Sequence, residues 1–156
     1  MRGYTVAMVG VGIILFMVCV VLWLIYVGSP SRTSSVSIKI PFAAERYIKE
    51  SVEPTPIDEV RLSFGGLPTK ELFPLSRLRR VAENILSPYN EKLLLRGTHY
   101  LRFPEREKKY LSVEASWENL SILFYHKLFD AYEKLGISLL SVEIKSGDVS
   151  SIYSII

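Results

Sequence analysis

Downstream of residue 35 the spacing of apolar positions changes from a period of two to a helical period and back again. In "SVSIKI", Val36, Ile38 and Ile40 alternate with Ser37 and Lys39, the pattern of a strand with one buried face. "PFAAERYIKESVEPTP" then reads as a strand exit, a short helical or irregular stretch and a proline-marked turn. "IDEVRLSF" alternates through Val60, Leu62 and Phe64 and runs into Gly65-Gly66, which suits an antiparallel partner for the first strand. From Pro74 to Leu95 the period is helical: Leu75, Leu78, Val81, Ala82, Ile85 and Leu86 share a face while Arg77, Arg80 and Glu83 point outward. Pro88 is expected to end or kink that helix. Residues 96–114 are mixed and charged, a loop with a short strand at "YLSVEA".

The most organised stretch follows, "ASWENLSILFYHKLFDAYEKLG", Ala115 to Gly136. Ser116 is a natural N-cap, Glu118 lies in the first turn where the helix dipole favours an anion, and Gly136 is a C-terminal stop. Trp117, Leu120, Phe124, Leu128, Ala131 and Leu135 form the expected core stripe. "LLSVEIKSG" alternates through Leu140, Val142 and Ile144, and "SSIYSII" reads as a short last strand. The predicted class is α+β: a ββααββ domain, an antiparallel sheet with two helices on one face.

Before this domain, Thr5 to Val27 runs 23 residues with no charge and no proline. A helix of about 20 apolar residues crosses the hydrocarbon layer, and Tyr4, Trp23 and Tyr26 sit near its ends, where aromatic rings prefer the interface. The run exceeds the apolar core of a cleavable signal peptide, and "YVGSPS" makes a poor cleavage site, so an uncleaved anchor is favoured. The expected organisation is a transmembrane anchor over 1–27, a linker over 28–35 ("GSPSRTSS") and the α+β domain over 36–156. The localisation is then a membrane, single-pass; Arg2 before the span and Arg32 and Lys39 after it do not choose a side.

Charge excludes more than it suggests. The chain carries 19 basic and 16 acidic side chains; without Arg2 the remainder holds 18 against 16, and no basic stripe for nucleic acid stands out. Cys19, the one cysteine, lies inside the apolar run, so no internal disulfide is possible. His126 sits about 200° around the helix from Phe124 and is expected to face solvent. His99 follows Gly97-Thr98 with no second ligand at a recognised spacing, so no metal and no cofactor is expected. No G-x-S-x-G, P-loop or G-x-G-x-x-G is present.

Taken in order, the segments resemble the 6-pyruvoyltetrahydropterin synthase and 6-carboxytetrahydropterin synthase family, whose domain is the T-fold, over roughly residues 36–154. That family's first strand ends in Phe-x-Ala-Ala-His; "PFAAERYI" keeps Ala43-Ala44 and puts Glu45 at the histidine position. A His-Gly-His segment corresponds to Pro54-Thr55-Pro56, an Asp-Phe-x-x-Leu-Lys helix start to "PLSRLR", and Leu-Asp-His-x-x-Leu to "YNEKLL", with Asn90 and Glu91 in place of Asp and His. The helix start Pro-Thr-x-Glu-Asn-Leu is similar to "ASWENL", which keeps Glu118, Asn119 and Leu120. The family's pterin-anchoring glutamate falls at Ser146; Glu143 is near it but turned to the other face unless a bulge intervenes.

The resemblance therefore implies a kept frame and lost chemistry: the zinc histidines, the Asp-His pair and the cysteine nucleophile have no counterparts. It suggests a membrane-anchored, T-fold-like domain without synthase activity, serving a structural, assembly or ligand-binding role. The expected partners are the membrane and either further copies of the chain, joined through edge strands such as "SSIYSII", or a larger membrane complex. One alternative is a bitopic scaffold of a type IV pilus or type II secretion machine. Another is a divergent pterin- or purine-handling enzyme built on Glu45, Glu91 and Glu118, with Glu143 as a further candidate ligand-binding residue; it requires those three to meet in one pocket.

Overall fold

The structure, a computed structural model, describes residues 16–20, 35–66, 74–99 and 101–155. Contacts divide the chain between Thr33 and Ser34. Of the apolar run Thr5–Val27, only 16–20 falls within the described residues; it is helical, and Phe16, Met17 and Val18 are exposed. No described helix is long and apolar enough to cross a membrane, and the rest of the expected span lies outside the described residues.

From Ser34 onward the chain is an α+β unit. Its strands are β1 (Val36–Arg46), β2 (Thr55–Gly65), β3 (Leu93–Arg96), β4 (Lys108–Leu111), β5 (Ser138–Ser146) and β6 (Val149–Ser154). The helices are α1 (Leu75–Leu86) and α2 (Trp117–Glu133), and a single 3₁₀ turn covers Gly97–His99. One sheet holds the six described strands in the order β4-β3-β1-β2-β5-β6.

The four long strands follow the alternation read from the sequence, and their pairing fixes both faces. Ile38, Leu62, Val142 and Tyr153 stand in one row, and Ile40, Val60, Ile144 and Ser151 in the next, facing the helices. On the helix-free face the rows are Ser37, Ser63, Ser141 and Ser154, then Lys39, Arg61, Glu143 and Ile152. Both helices pack on the first face: Leu78, Ala82 and Leu86 of α1 and Leu120, Phe124 and Leu128 of α2 join the strand residues in one core.

Four expectations are corrected. The sheet is mixed, because β3 lies parallel to β1 and β4 parallel to β3. The helix expected through Leu95 ends at Leu86, and Leu93-Leu94-Leu95 form a strand. Their unbroken apolar run fits a helix, but all three are buried because both faces are covered: Leu94 enters the main core, while Leu93 and Leu95 meet Tyr47 in a second small one. In β5 the inward residue is Leu139, not Leu140, because a register shift opposite Ser63–Phe64 leaves Leu140 unpaired and facing out. Along α2 the buried set includes Ser121, Tyr125 and Tyr132, while Trp117, Ala131 and Leu135 are only half-buried.

Those two tyrosines are buried because their hydroxyls reach carbonyls: Tyr125 donates to Leu139 at 3.1 Å and Tyr132 to Leu78 at 2.6 Å. The second bond ties α2 to α1. Burial also pushes the Tyr132 phenol well above its ordinary range. A raised phenol contributes stability that is complete below the unfolded tyrosine pKa of about 10 and is lost as pH rises above it. Tyr132→Phe is therefore expected to cost about 1 kcal/mol at neutral pH in a urea titration. It should also flatten the alkaline loss of stability; an unchanged slope above about pH 10 would show that Tyr132 does not drive that loss.

Candidate functional site: a charged cleft at the β1 bulge

β1 carries one residue more than β2 between Pro41 and Ala44, so the ladder is interrupted at Phe42–Ala43. The polypeptide between α1 and β3 closes that gap. The Asn90 side-chain oxygen accepts from the Ala43 N–H at 2.9 Å, and the Glu91 N–H donates to the Ala43 carbonyl at 2.8 Å. Glu91 sits at φ 57°, the left-handed region that a non-glycine residue enters at a cost, and its N–H bond to Ala43 helps hold it there. The Glu45 N–H then bonds the Lys92 carbonyl and the Tyr47 N–H the Leu94 carbonyl, which sets β3 parallel beside the end of β1.

Around this junction lies a cleft of about 900 Å³. One wall is β1 from Pro41 to Glu45 with Pro56, Ile57 and Asp58 of β2; the other is Asn90 to Leu93 with Arg106 and Glu107. Arg106 makes an ion pair with Glu45, and Lys92 bonds Glu107 at 2.9 Å. The lysine beside it holds the Glu107 carboxyl below its ordinary value. Asp58 accepts the Gly147 N–H at 2.9 Å, while the Glu91 residue is exposed. Four carboxylates thus face two cations, and each cation is already matched to one carboxylate.

Of the four carboxylates picked out from the sequence, Glu45 and Glu91 share this cleft and the other two lie elsewhere. Glu118 is exposed in the first turn of α2, beside the buried Arg46, whose guanidinium lies 3.9 Å over the Trp117 ring and donates to the Ala115 carbonyl at 3.2 Å. Burial lowers the Arg46 pKa, and the Glu118 charge opposes that shift. Glu143 faces the helix-free side of the sheet between Arg61 at 3.4 Å and Lys145 at 3.4 Å. β5 does carry a bulge, but it precedes Val142, so Glu143 stays opposite the core.

The cleft residues missed in the sequence are Asp58, Lys92, Arg106 and Glu107. "PEREKKY" has the interleaved signs of a solvated loop, and nothing local marks Arg106 as the partner of a residue 61 positions earlier. His126 is exposed against Tyr153, as its helical phase requires. His99 bonds Glu114 at 3.2 Å and packs edge-on against Tyr47.

No protein-family model matches the chain, and no curated protein matches it in sequence. Solved structures do match. The 6-pyruvoyl tetrahydropterin synthase of Caenorhabditis elegans superposes with a TM-score of 0.58 at 13% identity, over 80% of this chain and 96% of that one. The Plasmodium vivax enzyme gives 0.57 at 13%, over 80% and 100%. The Plasmodium falciparum enzyme gives 0.55 at 14%, over 78% and 96%. The fold is that of the pterin synthases. At these identities the likeness is one of fold. Of the positions that the resemblance matches to family histidines and to the Asp-His pair, Glu45, Pro56, Asn90 and Glu91 border this cleft, and Pro54 is not in its lining.

Zinc, which the resemblance implies, does not fit this lining. Zinc sites draw on three or four nitrogen, sulfur or carboxylate ligands held in tetrahedral reach. No histidine or cysteine lines the cleft, its carboxylates are partly taken up by Arg106 and Lys92, and no described group of three or more His, Cys, Asp or Glu is placed to hold a metal.

The clasp on Ala43 can be checked directly. Asn90→Ala removes the acceptor for the Ala43 N–H and is expected to cost about 1 kcal/mol in urea, with faster exchange of that amide. Asn90→Asp keeps the acceptor and should retain most of the stability; equal losses in both variants would mean that the hydrogen bond is not what holds the turn.

Proposed function

We propose that the chain is a single-pass, membrane-anchored T-fold domain that works by assembly and ligand binding, without pterin synthase activity. The observation that carries this reading is the cleft itself: Glu45, Pro56, Asn90 and Glu91, which the resemblance matches to family site positions, border it, but its charged lining is four carboxylates and two cations, with Glu45 and Glu107 ion-paired. Without histidine ligands the site has no place for the Lewis acid on which the resemblance would have the synthase reaction depend. Glu45 and Glu91 are the residues we assign to ligand contact.

Assembly is supported by the edges of the sheet. β3 pairs only with Glu45 and Arg46 of β1, so residues 36–42 leave one side of that strand uncovered by β3. β6 is the other edge, six residues long and without a charge, with Val149 and Ile152 exposed. Strand directions alternate from β1 through β2 and β5 to β6, so β6 of one copy can continue antiparallel onto β1 of the next. The membrane assignment rests on the uncharged run Thr5–Val27 and on the exposed apolar side chains of its described helical segment.

Light scattering on the detergent-solubilised full chain, with metal content read on the same sample, tests both parts. A discrete closed oligomer without stoichiometric zinc is expected, and Val149→Lys/Ile152→Lys should reduce it to monomers while the circular dichroism stays native. A monomer or dimer would favour a secretion-type scaffold; stoichiometric zinc would overturn the assignment of the cleft.

A further inference from the structure

The segment joining β3 to β4 is anchored on β3 and on Tyr47, the residue that follows β1. Phe103 packs against the small core of Tyr47, Leu93 and Leu95, its ring 5.2 Å from that of Tyr47. The Glu107 carbonyl accepts the Leu93 N–H at 2.9 Å, and its carboxylate is bound by Lys92. Arg106 extends to β1, where its guanidinium meets the Glu45 carboxylate. Both side chains are about 40% exposed. An ion pair this exposed is worth at most about a fivefold bias, so it spans the cleft without locking Arg106 in place.

We propose that Arg106 is a built-in occupant of the cleft, a guanidinium that fills the place of an external planar cation until it is displaced. This rests on reading the cleft as a ligand site. The charge balance supports it: with Arg106 on Glu45 and Lys92 on Glu107, Asp58 and Glu91 are left without a cationic partner in the cleft. The lining therefore carries a surplus of two negative charges, four carboxylates less two cations. A guanidinium or amidinium compound matches the planar two-donor geometry that a carboxylate accepts best. It would take Glu45 from Arg106 and, being free of the chain, could also meet Glu91, which lies on Arg106's own wall. A primary amine lacks the planar fork and is a weaker fit.

The probe is methylguanidinium at about 10 mM, with methylammonium as the matched control, added to the full chain in detergent and followed by thermal shift and calorimetry. Arg106→Ala vacates the place and should bind methylguanidinium more tightly than the wild type, by up to about fivefold, with methylammonium weaker. Arg106→Gln, which keeps most of the side-chain volume without the charge, should also bind more tightly than wild type, and it serves if the alanine variant folds poorly. Adding Glu45→Gln to either variant should abolish the gain. Equal binding by wild type and both variants, or a gain that survives Glu45→Gln, would overturn self-occupancy. If no variant binds the probe while the oligomer is intact and free of zinc, self-occupancy fails and the assembly reading stands. Stoichiometric zinc in the same preparations would instead remove the reading of the cleft on which the proposal rests.

Discussion

The extra residue in β1 is the constraint from which the rest of this half of the domain follows. A bulge leaves Ala43 with an N–H and a carbonyl that β2 does not take, and the turn after α1 supplies both partners from consecutive residues, Asn90 and Glu91. That double contact brings Lys92 to Leu95 alongside the end of β1 and makes the added strands parallel. The cleft is the space left where the bulged strand and the returning chain diverge, so its walls are set by backbone bonding before any side-chain chemistry enters.

The other half of the sheet obeys a simpler rule. β1, β2, β5 and β6 pair so that the two inward rows are apolar except for Ser151 and the two outward rows are polar except for Ile152. The outward face bears a row of serines and, next to it, charges of both signs: Glu59 bonds Arg61 at 3.1 Å, and Glu143 lies between Arg61 and Lys145. Lys39 and Arg61 are like charges directly opposed, and Glu59, within 3.9 Å of Lys39 and 3.1 Å of Arg61, offsets their repulsion. α2 closes the opposite face, and its tyrosines let one helix be both apolar enough for the core and specific in where it docks, through the carbonyls of Leu78 and Leu139.

Within this architecture the ion pairs of the cleft are modest in energy. Glu45 and Arg106 stabilise the contact across the cleft only weakly because water reaches both, and in the proposed reading they would decide which ligands the lining accepts. A carboxylate that already holds a guanidinium discriminates by geometry as well as by charge.

Much of the frame was legible in the sequence because it rests on period alone. The two-residue alternation in 36–40, 57–64 and 142–144 and the helical spacing in 75–86 and 117–133 depend on nothing beyond which side faces the core. The phase of His126 and the outward turn of Glu143 came from the same rule. What the sequence left undecided depends on contacts between distant residues. Leu93–Leu95 became a strand because two cores cover its two faces, Leu140 turned outward because the β2–β5 register slips by one, and tyrosines joined the core because carbonyls lay in reach. Glu45 and Glu91 were visible as candidates, but Arg106 was not: its place opposite Glu45 is made by a bulge, a left-handed turn and a loop anchored on Phe103, and no local pattern records their convergence. Local periodicity determined the layers; long-range hydrogen bonding and packing determined the cleft.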